Sequence, residues 1–239
     1  MSRTTPSSEP LIEQNNATGR VSYWARGDNH SAADRNGVSL ADYIHAMFSF
    51  LVQAEAKHVL MIGCGGGNLA TMLDRIGVAV TMVDIDANSF EIARKYFHLP
   101  ATVKCHVADG AKFLRRPERE RYDAIVLDAY TGSKIPKVFL RKSFFDLAKA
   151  RLKRGGIFLI NIIVADDDDL TPDNILCLMQ QTWRQTRLLD SDGWKDRNAV
   201  GLAGAVGKLK RPKILMPPAR GAKKFAAEFQ SLQFRALRD

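Results

Sequence analysis

The chain has 239 residues, 46% hydrophobic and 26% charged, proportions that suit one globular α/β domain with short extensions. No apolar run is long enough to cross a bilayer, and the Ser/Thr/Asn/Pro-rich first twenty residues hold no continuous apolar stretch, so a disordered leader is expected over 1–20 and not a signal peptide. The net charge of +9 is local: Gly207 to Asp239 carries nine Lys/Arg against two Asp/Glu, a net of +7 in a basic tail over 207–239.

Such a tail reads as a solvated segment; the sharper alternative is contact with a nucleic acid. Cys64, Cys105 and Cys177 stand far apart with no CxxC pairing, which argues against a disulfide framework and for a reducing cytoplasm. The five histidines are scattered too, in no spacing expected of a metal site.

A short N-terminal extension over 21–56 contains the polar-aromatic cluster Trp24, Arg26, Asp28, Asn29 and His30, placed either to line an acceptor pocket or to cover a sheet edge. From Lys57 onward, short β-rich runs alternate with amphipathic stretches, the mark of a parallel sheet with helices on both faces. His58 to Ile62 is nearly continuously apolar, as a strand buried on both faces requires. A helix from about Asn68 to Ile76 follows, then strand Val78 to Val83 and a helix from about Asn88 to Phe97, closed by His98-Leu99-Pro100. Thr102 to Val107, Tyr122 to Leu127 and a run beginning at Gly156 read as further strands, with a helix over Lys142 to Leu152.

Thr171-Pro172-Asp173 predicts a helix start, with Thr171 as N-cap and Pro172 at its first position. The acidic run Asp166 to Asp169 just before it reads as a helix-capping loop, since consecutive residues cannot all face one ion. Arg187 to Leu189 and Asn198 to Val206 complete a doubly wound, mostly parallel, Rossmann-like seven-stranded α/β sheet over 57–206. Phe225, Phe229 and Leu232 recur at helical spacing in the tail and predict a short docked helix.

Between the first strand and helix stands Gly63-Cys64-Gly65-Gly66-Gly67. Glycines let a ligand approach the backbone, and the following helix N-terminus presents free N–H groups. Asp84 ends the next strand about twenty residues on, placed to accept hydrogen bonds from ribose hydroxyls. A dinucleotide fingerprint calls for glycine at position 68, where this chain has Asn68. The spacing GxGxG therefore favours S-adenosylmethionine over NAD. Asp109, followed by Gly110, ends the third strand, where a carboxylate can receive an adenine amino group. Asp128 ends the fourth at the same sheet edge.

Together these segments resemble the polyamine aminopropyltransferases, the spermidine synthase superfamily of class I transferases. The likeness runs from about Ser39 to Val206 and rests on Val59 to Gly67, Val83 to Asp86, Ala93 to Pro100, Asp109-Gly110-Ala111-Lys112-Phe113-Leu114 and Tyr122 to Asp128. It implies that Gly63, Gly65, Gly67, Asp84, Asp109, Gly110 and Asp128 hold the nucleoside donor, either S-adenosylmethionine or its decarboxylated form. It also implies that Asp128 acts near the transferring group.

The chain departs from the family where polyamine amines would bind. Thr131 stands in place of a second acid after Asp128, Gly66 replaces an acid inside the glycine loop, and the His expected shortly after Tyr43 is out of register. Amines buried without carboxylates to orient them are costly. On this reading the donor is ordinary S-adenosylmethionine, its carboxylate meeting the bare N–H of Gly66, and the reaction is methyl transfer to a small-molecule acceptor. Asp128 then serves as general base or orienter, with Tyr130 beside it as a hydroxyl, an aromatic wall or a packed loop side chain. The alternatives are aminopropyl transfer, a non-catalytic nucleoside-binding homologue, and an RNA-modifying enzyme steered by the tail; a homodimer is compatible with each.

Overall fold

His58-Val59-Leu60-Met61-Ile62 forms, in the computed structural model of the chain, a strand inside the main sheet with its last four side chains buried. The structure describes residues 10–25, 28–117 and 120–238. In chain order the elements are β1 (Leu11–Asn15), β2 (Arg20–Ala25), β3 (Asp28–Ala33), α1 (Asp42–Gln53), β4 (His58–Ile62), α2 (Asn68–Asp74), β5 (Ala79–Asp84), α3 (Ala87–Phe97) and β6 (Lys104–Val107). They continue with α4 (Gly110–Leu114), β7 (Tyr122–Leu127), α5 (Lys142–Arg151), β8 (Leu152–Val164), α6 (Thr171–Gln180), β9 (Thr186–Asp190), β10 (Arg197–Gly204), α7 (Ala222–Phe229) and β11 (Gln233–Arg235).

The main sheet runs β11-β9-β10-β8-β7-β4-β5-β6. β6, β5, β4, β7 and β8 pair in parallel, while β10, β9 and β11 are antiparallel to their neighbours. Successive side chains on a strand face opposite sides. Val59 and Met61 of β4 thus join Val126 of β7 and Leu159 of β8 in a core under α1, α2, α3 and α7. Leu60 and Ile62 join Ile125, Leu127 and Phe158 under α4, α5 and α6 on the other side. The expected doubly wound, mostly parallel α/β architecture is present. No helix among the described residues is long and apolar enough to cross a membrane.

Three expectations change. The leader expected to be disordered through residue 20 is ordered from Leu11, because β1 pairs antiparallel with β2 from Leu11↔Trp24 to Asn15↔Arg20. Residues 1–9 lie outside the described residues. The sheet has eight strands and not seven: the tail returns as β11 on β9, with Gln233↔Asp190 and Arg235↔Leu188 in register. Phe225, Phe229 and Leu232 are buried in the first core, a gain of about 1.5–3 kcal/mol for each large apolar side chain fully removed from water. Part of the tail's basic charge is consumed in the same docking. Arg235 donates to Asp190 (2.9 Å) and to both oxygens of Asp173 (2.7 and 2.9 Å), and Arg197 donates to the other oxygen of Asp190 (2.9 Å).

The third change is local. The helix cap is Leu170 and not Thr171, with Pro172 in the first turn, because Asp169 takes the capping role by accepting from the Thr171 N–H (2.9 Å). Two other carboxylates of the acidic run are likewise engaged. Asp166 accepts from the Asp168 N–H, and Asp167 accepts from Gly193 and pairs with Arg197.

Candidate active site

The glycine loop connects β4 to α2 under a severe steric demand. Gly63 has φ +98°, and a Cβ there would fall 2.0 Å from the Asp128 carbonyl oxygen. Only glycine allows that approach. Asp84, at the end of β5, braces the loop: Oδ2 accepts from the Cys64 N–H (2.8 Å) and Oδ1 from the Asp86 N–H (2.8 Å). Burial raises its pKa, and these N–H bonds pull against the rise.

Asp109 caps α4, accepting from the Lys112 N–H through Oδ1 (2.8 Å). One oxygen, Oδ1, therefore serves the fold, and Oδ2 takes no part in the cap bond. Asp128 follows β7, its N–H donating to the Ile62 carbonyl (2.9 Å). Its carboxylate receives Tyr43 Oη at 3.2 Å and Asn161 Nδ2 at 2.8 Å. Burial raises the Asp128 pKa, while the bonds from Asn161 and Tyr43 and the field of His30 lower it. Tyr43 is pushed well above the usual phenol range by burial and by Asp128, so it remains a proton donor at neutral pH.

These groups line one cavity of about 980 Å³ with Gly63, Cys64, Gly65 and Gly110. The three strand-end acids Asp84, Asp109 and Asp128 come together as the sequence led us to expect. Gly67 does not reach the cavity wall; it sits at φ +69° as the N-cap of α2, against Leu99 and Ala93. Tyr130 lines the cavity, but its hydroxyl is committed to β8, donating to the Asn161 carbonyl (2.7 Å) and accepting from the Ile163 N–H (3.1 Å). The upstream cluster divides. His30 lines the cavity and Trp24 donates to Glu13 (3.1 Å); Arg26 and the side chains of Asp28 and Asn29 lie outside the described residues.

Asn161 and Asn198 were missed. Their signal was present in Ile160-Asn161-Ile162 and in Asn198 beside Ala199-Val200, since a polar residue inside a buried apolar strand needs a partner.

The family model of the spermine/spermidine synthase domain matches residues 43–184. This chain belongs to that family. A polyamine aminopropyltransferase of Chromobacterium violaceum is 34% identical over 125 residues, covering 50% of this chain and 48% of that protein. An N-terminal histidine N-methyltransferase of Emericella nidulans is 32% identical over 140 residues, 52% of this chain and 25% of that one. The match therefore spans about half or less of these relatives' length. A probable spermidine synthase from Corynebacterium glutamicum superposes with a TM-score of 0.75 at 16% identity, covering 95% of this chain and 87% of the other, which establishes the fold.

Within this spermine/spermidine synthase domain, Gly66 has a different environment from the one expected. Its N–H donates to Ser31 Oγ of β3 at 2.7 Å. A Cβ at that position would meet Ser31 Cβ and the Phe97 ring at 2.9 Å. The N–H is not bare, and the family's acid has no room there. β3 fills the space.

Proposed function

We propose that this family member transfers an aminopropyl group from decarboxylated S-adenosylmethionine to an amine, with Asp128 receiving the acceptor's proton. The observation that carries this reading is the buried Asp128 carboxylate, held by Tyr43 and Asn161 beside the glycine loop in an acid-lined cavity. Among the described residues, Asp84, Asp86, Asp109, Asp128 and Asp196 face that cavity against one arginine, Arg20. Such a field favours ligands ending in amines and opposes a donor that carries a carboxylate. The similarity to a polyamine aminopropyltransferase supports the same donor. The Gly66 N–H that would meet the carboxylate of S-adenosylmethionine is taken by Ser31.

On this reading the amine lone pair attacks the carbon next to the sulfonium. The carbon–sulfur bond breaks with its electron pair going to sulfur, and an N–H proton passes to Asp128. A carboxylate with a raised pKa takes that proton more readily. Asp84 receives the ribose hydroxyls, and Asp109 Oδ2 receives the adenine amino group. Asp84→Asn is expected to weaken binding of either donor by about tenfold or more, since hydrogen bonds to a charged group are the stronger kind; calorimetry of the purified variant checks this.

A second reading, methyl transfer from S-adenosylmethionine, is favoured by Thr131 standing where the family has an acid. Calorimetry and turnover with the two donors separate the readings. Tighter binding of the decarboxylated donor, with an aminopropylated amine as product, is the expected result. Preference for S-adenosylmethionine, with a methylated product, overturns it.

A further inference from the structure

We propose that Asn161 and Asn198 form a two-amide brace that positions the Asp128 carboxylate, and that Asn198 acts on it only through Asn161. The value of such a brace rests on the reading of Asp128 as proton acceptor; its existence does not.

Asn161 is 3% exposed on β8, between Ile160 and Ile162, both fully buried. A carboxamide in that setting is tolerated only with its polar atoms satisfied. Its Nδ2 donates to Asp128 Oδ1 at 2.8 Å, and its Oδ1 accepts from Asn198 Nδ2 of β10 at 2.9 Å. The second bond is compatible with one orientation of the Asn161 amide only, the one that makes the first. With the Asn161 amide turned over, its carbonyl oxygen would face the carboxylate and its NH₂ would face the NH₂ of Asn198, two repulsive contacts in place of two bonds. With Asn198 as it stands, its NH₂ supports the orientation in which Asp128 is offered a donor. The Tyr130 hydroxyl holds the Asn161 backbone from the other side, through the carbonyl and the Ile163 N–H.

Besides these amides, the groups facing Asp128 are Tyr43 from α1, Tyr130 from the segment after β7, and His30 from β3. Both phenols are pushed far above neutral pH by burial and by Asp128 itself. A change in the carboxylate's titration on altering an asparagine is therefore not a change in the ionisation of either phenol.

The test is a carboxyl-carbon NMR titration of Asp128 in the ligand-free full chain, for wild type, Asn161→Leu, Asn198→Ala and the double variant. A donated hydrogen bond favours the ionised form, so Asn161→Leu and Asn198→Ala are each expected to move the titration to higher pH, with Asn161→Leu the larger. Adding Asn198→Ala to Asn161→Leu moves it no further. With turnover established, the acid limb of the kcat/KM profile follows the same order. kcat/KM at neutral pH falls by about tenfold in Asn161→Leu, while donor affinity holds.

An unmoved titration in Asn198→Ala, or shifts that add in the double variant, overturns the brace. If Asn161→Leu does not fold, Asn198→Ala decides alone, because Asn198 is partly exposed and its loss leaves no large cavity. The titration needs no substrate, so it tests the brace even on a chain that turns over no amine.

Discussion

Asp128→Asn is expected to lower kcat by about 10²–10⁴-fold, the usual range for losing a positioned general base, with donor affinity held within a few-fold. Asn has the shape of Asp and still offers an oxygen to Asn161, while its NH₂ replaces the oxygen that accepts from Tyr43. The site therefore keeps its shape but loses proton acceptance and the Tyr43 bond in its present direction. The effect on stability has the opposite sign. Burial, the largest influence on Asp128, raises its folded-state pKa, and the bonds from Asn161 and Tyr43 recover only part of the rise. A raised carboxylate pKa means that the folded state binds this proton more tightly than the unfolded one. Its contribution to stability is full below the ordinary carboxylate range and is lost as pH rises through the raised value. Above that raised value the ionised Asp128 is a cost, and the unfolding temperature of Asp128→Asn there should equal or exceed that of wild type. Near-normal turnover in a folded Asp128→Asn chain would remove Asp128 from the chemistry.

Asp190→Ala is expected to destabilise the chain by about 3–5 kcal/mol, as removal of one partner from a buried ion pair does. For a domain of this size that is a fall in unfolding temperature on the order of 10 °C. The Asp190 side chain is completely buried between Arg197 and Arg235. Its removal strands two guanidinium groups, each left with only part of its partners. Burial alone would raise the Asp190 pKa, but the bonds from Arg197 and Arg235 outweigh it and hold the group below the usual carboxylate range. Asp173, clasped by Arg235 and the Arg238 N–H, is lowered in the same way. Depressed folded-state pKa values contribute stability that is present above the ordinary carboxylate range and lost as pH falls through the depressed values. Thermal melts of wild type and Asp190→Ala should therefore converge in strong acid. A melt of Asp190→Ala that matches wild type at neutral pH would show that β11 docks without this clasp.

The central strands were readable because a strand covered on both faces must be apolar throughout. His58 to Ile62 and Tyr122 to Leu127 appear within a residue of their expected limits. α4 was not read, because Gly110 to Leu114 is a single short turn whose capping residue, Asp109, looks in sequence like a ligand-binding acid. In the structure its Oδ1 caps α4. β1 and β11 were read as leader and tail, since Leu11-Ile12-Glu13-Gln14-Asn15 and Gln233-Phe234-Arg235 carry almost no apolar alternation. They are edge strands stabilised by pairing partners that lie elsewhere in the chain.

The site divides in the same way. The sequence alone determined the family, the two-faced parallel sheet, and the acids Asp84, Asp109 and Asp128 at its carboxyl edge beside the glycine loop. Those features are local: each strand and its terminal residue fall within one short stretch, at spacings the backbone geometry imposes. Only the tertiary structure decided what surrounds them. Ser31 covers Gly66 from 35 positions away, Tyr43 reaches Asp128 across 85, and Asn161 and Asn198 meet from neighbouring antiparallel strands 37 apart. Such contacts depend on strand order and register. Whether the Gly66 N–H is free or taken is therefore set by the fold around the motif and not by the motif itself.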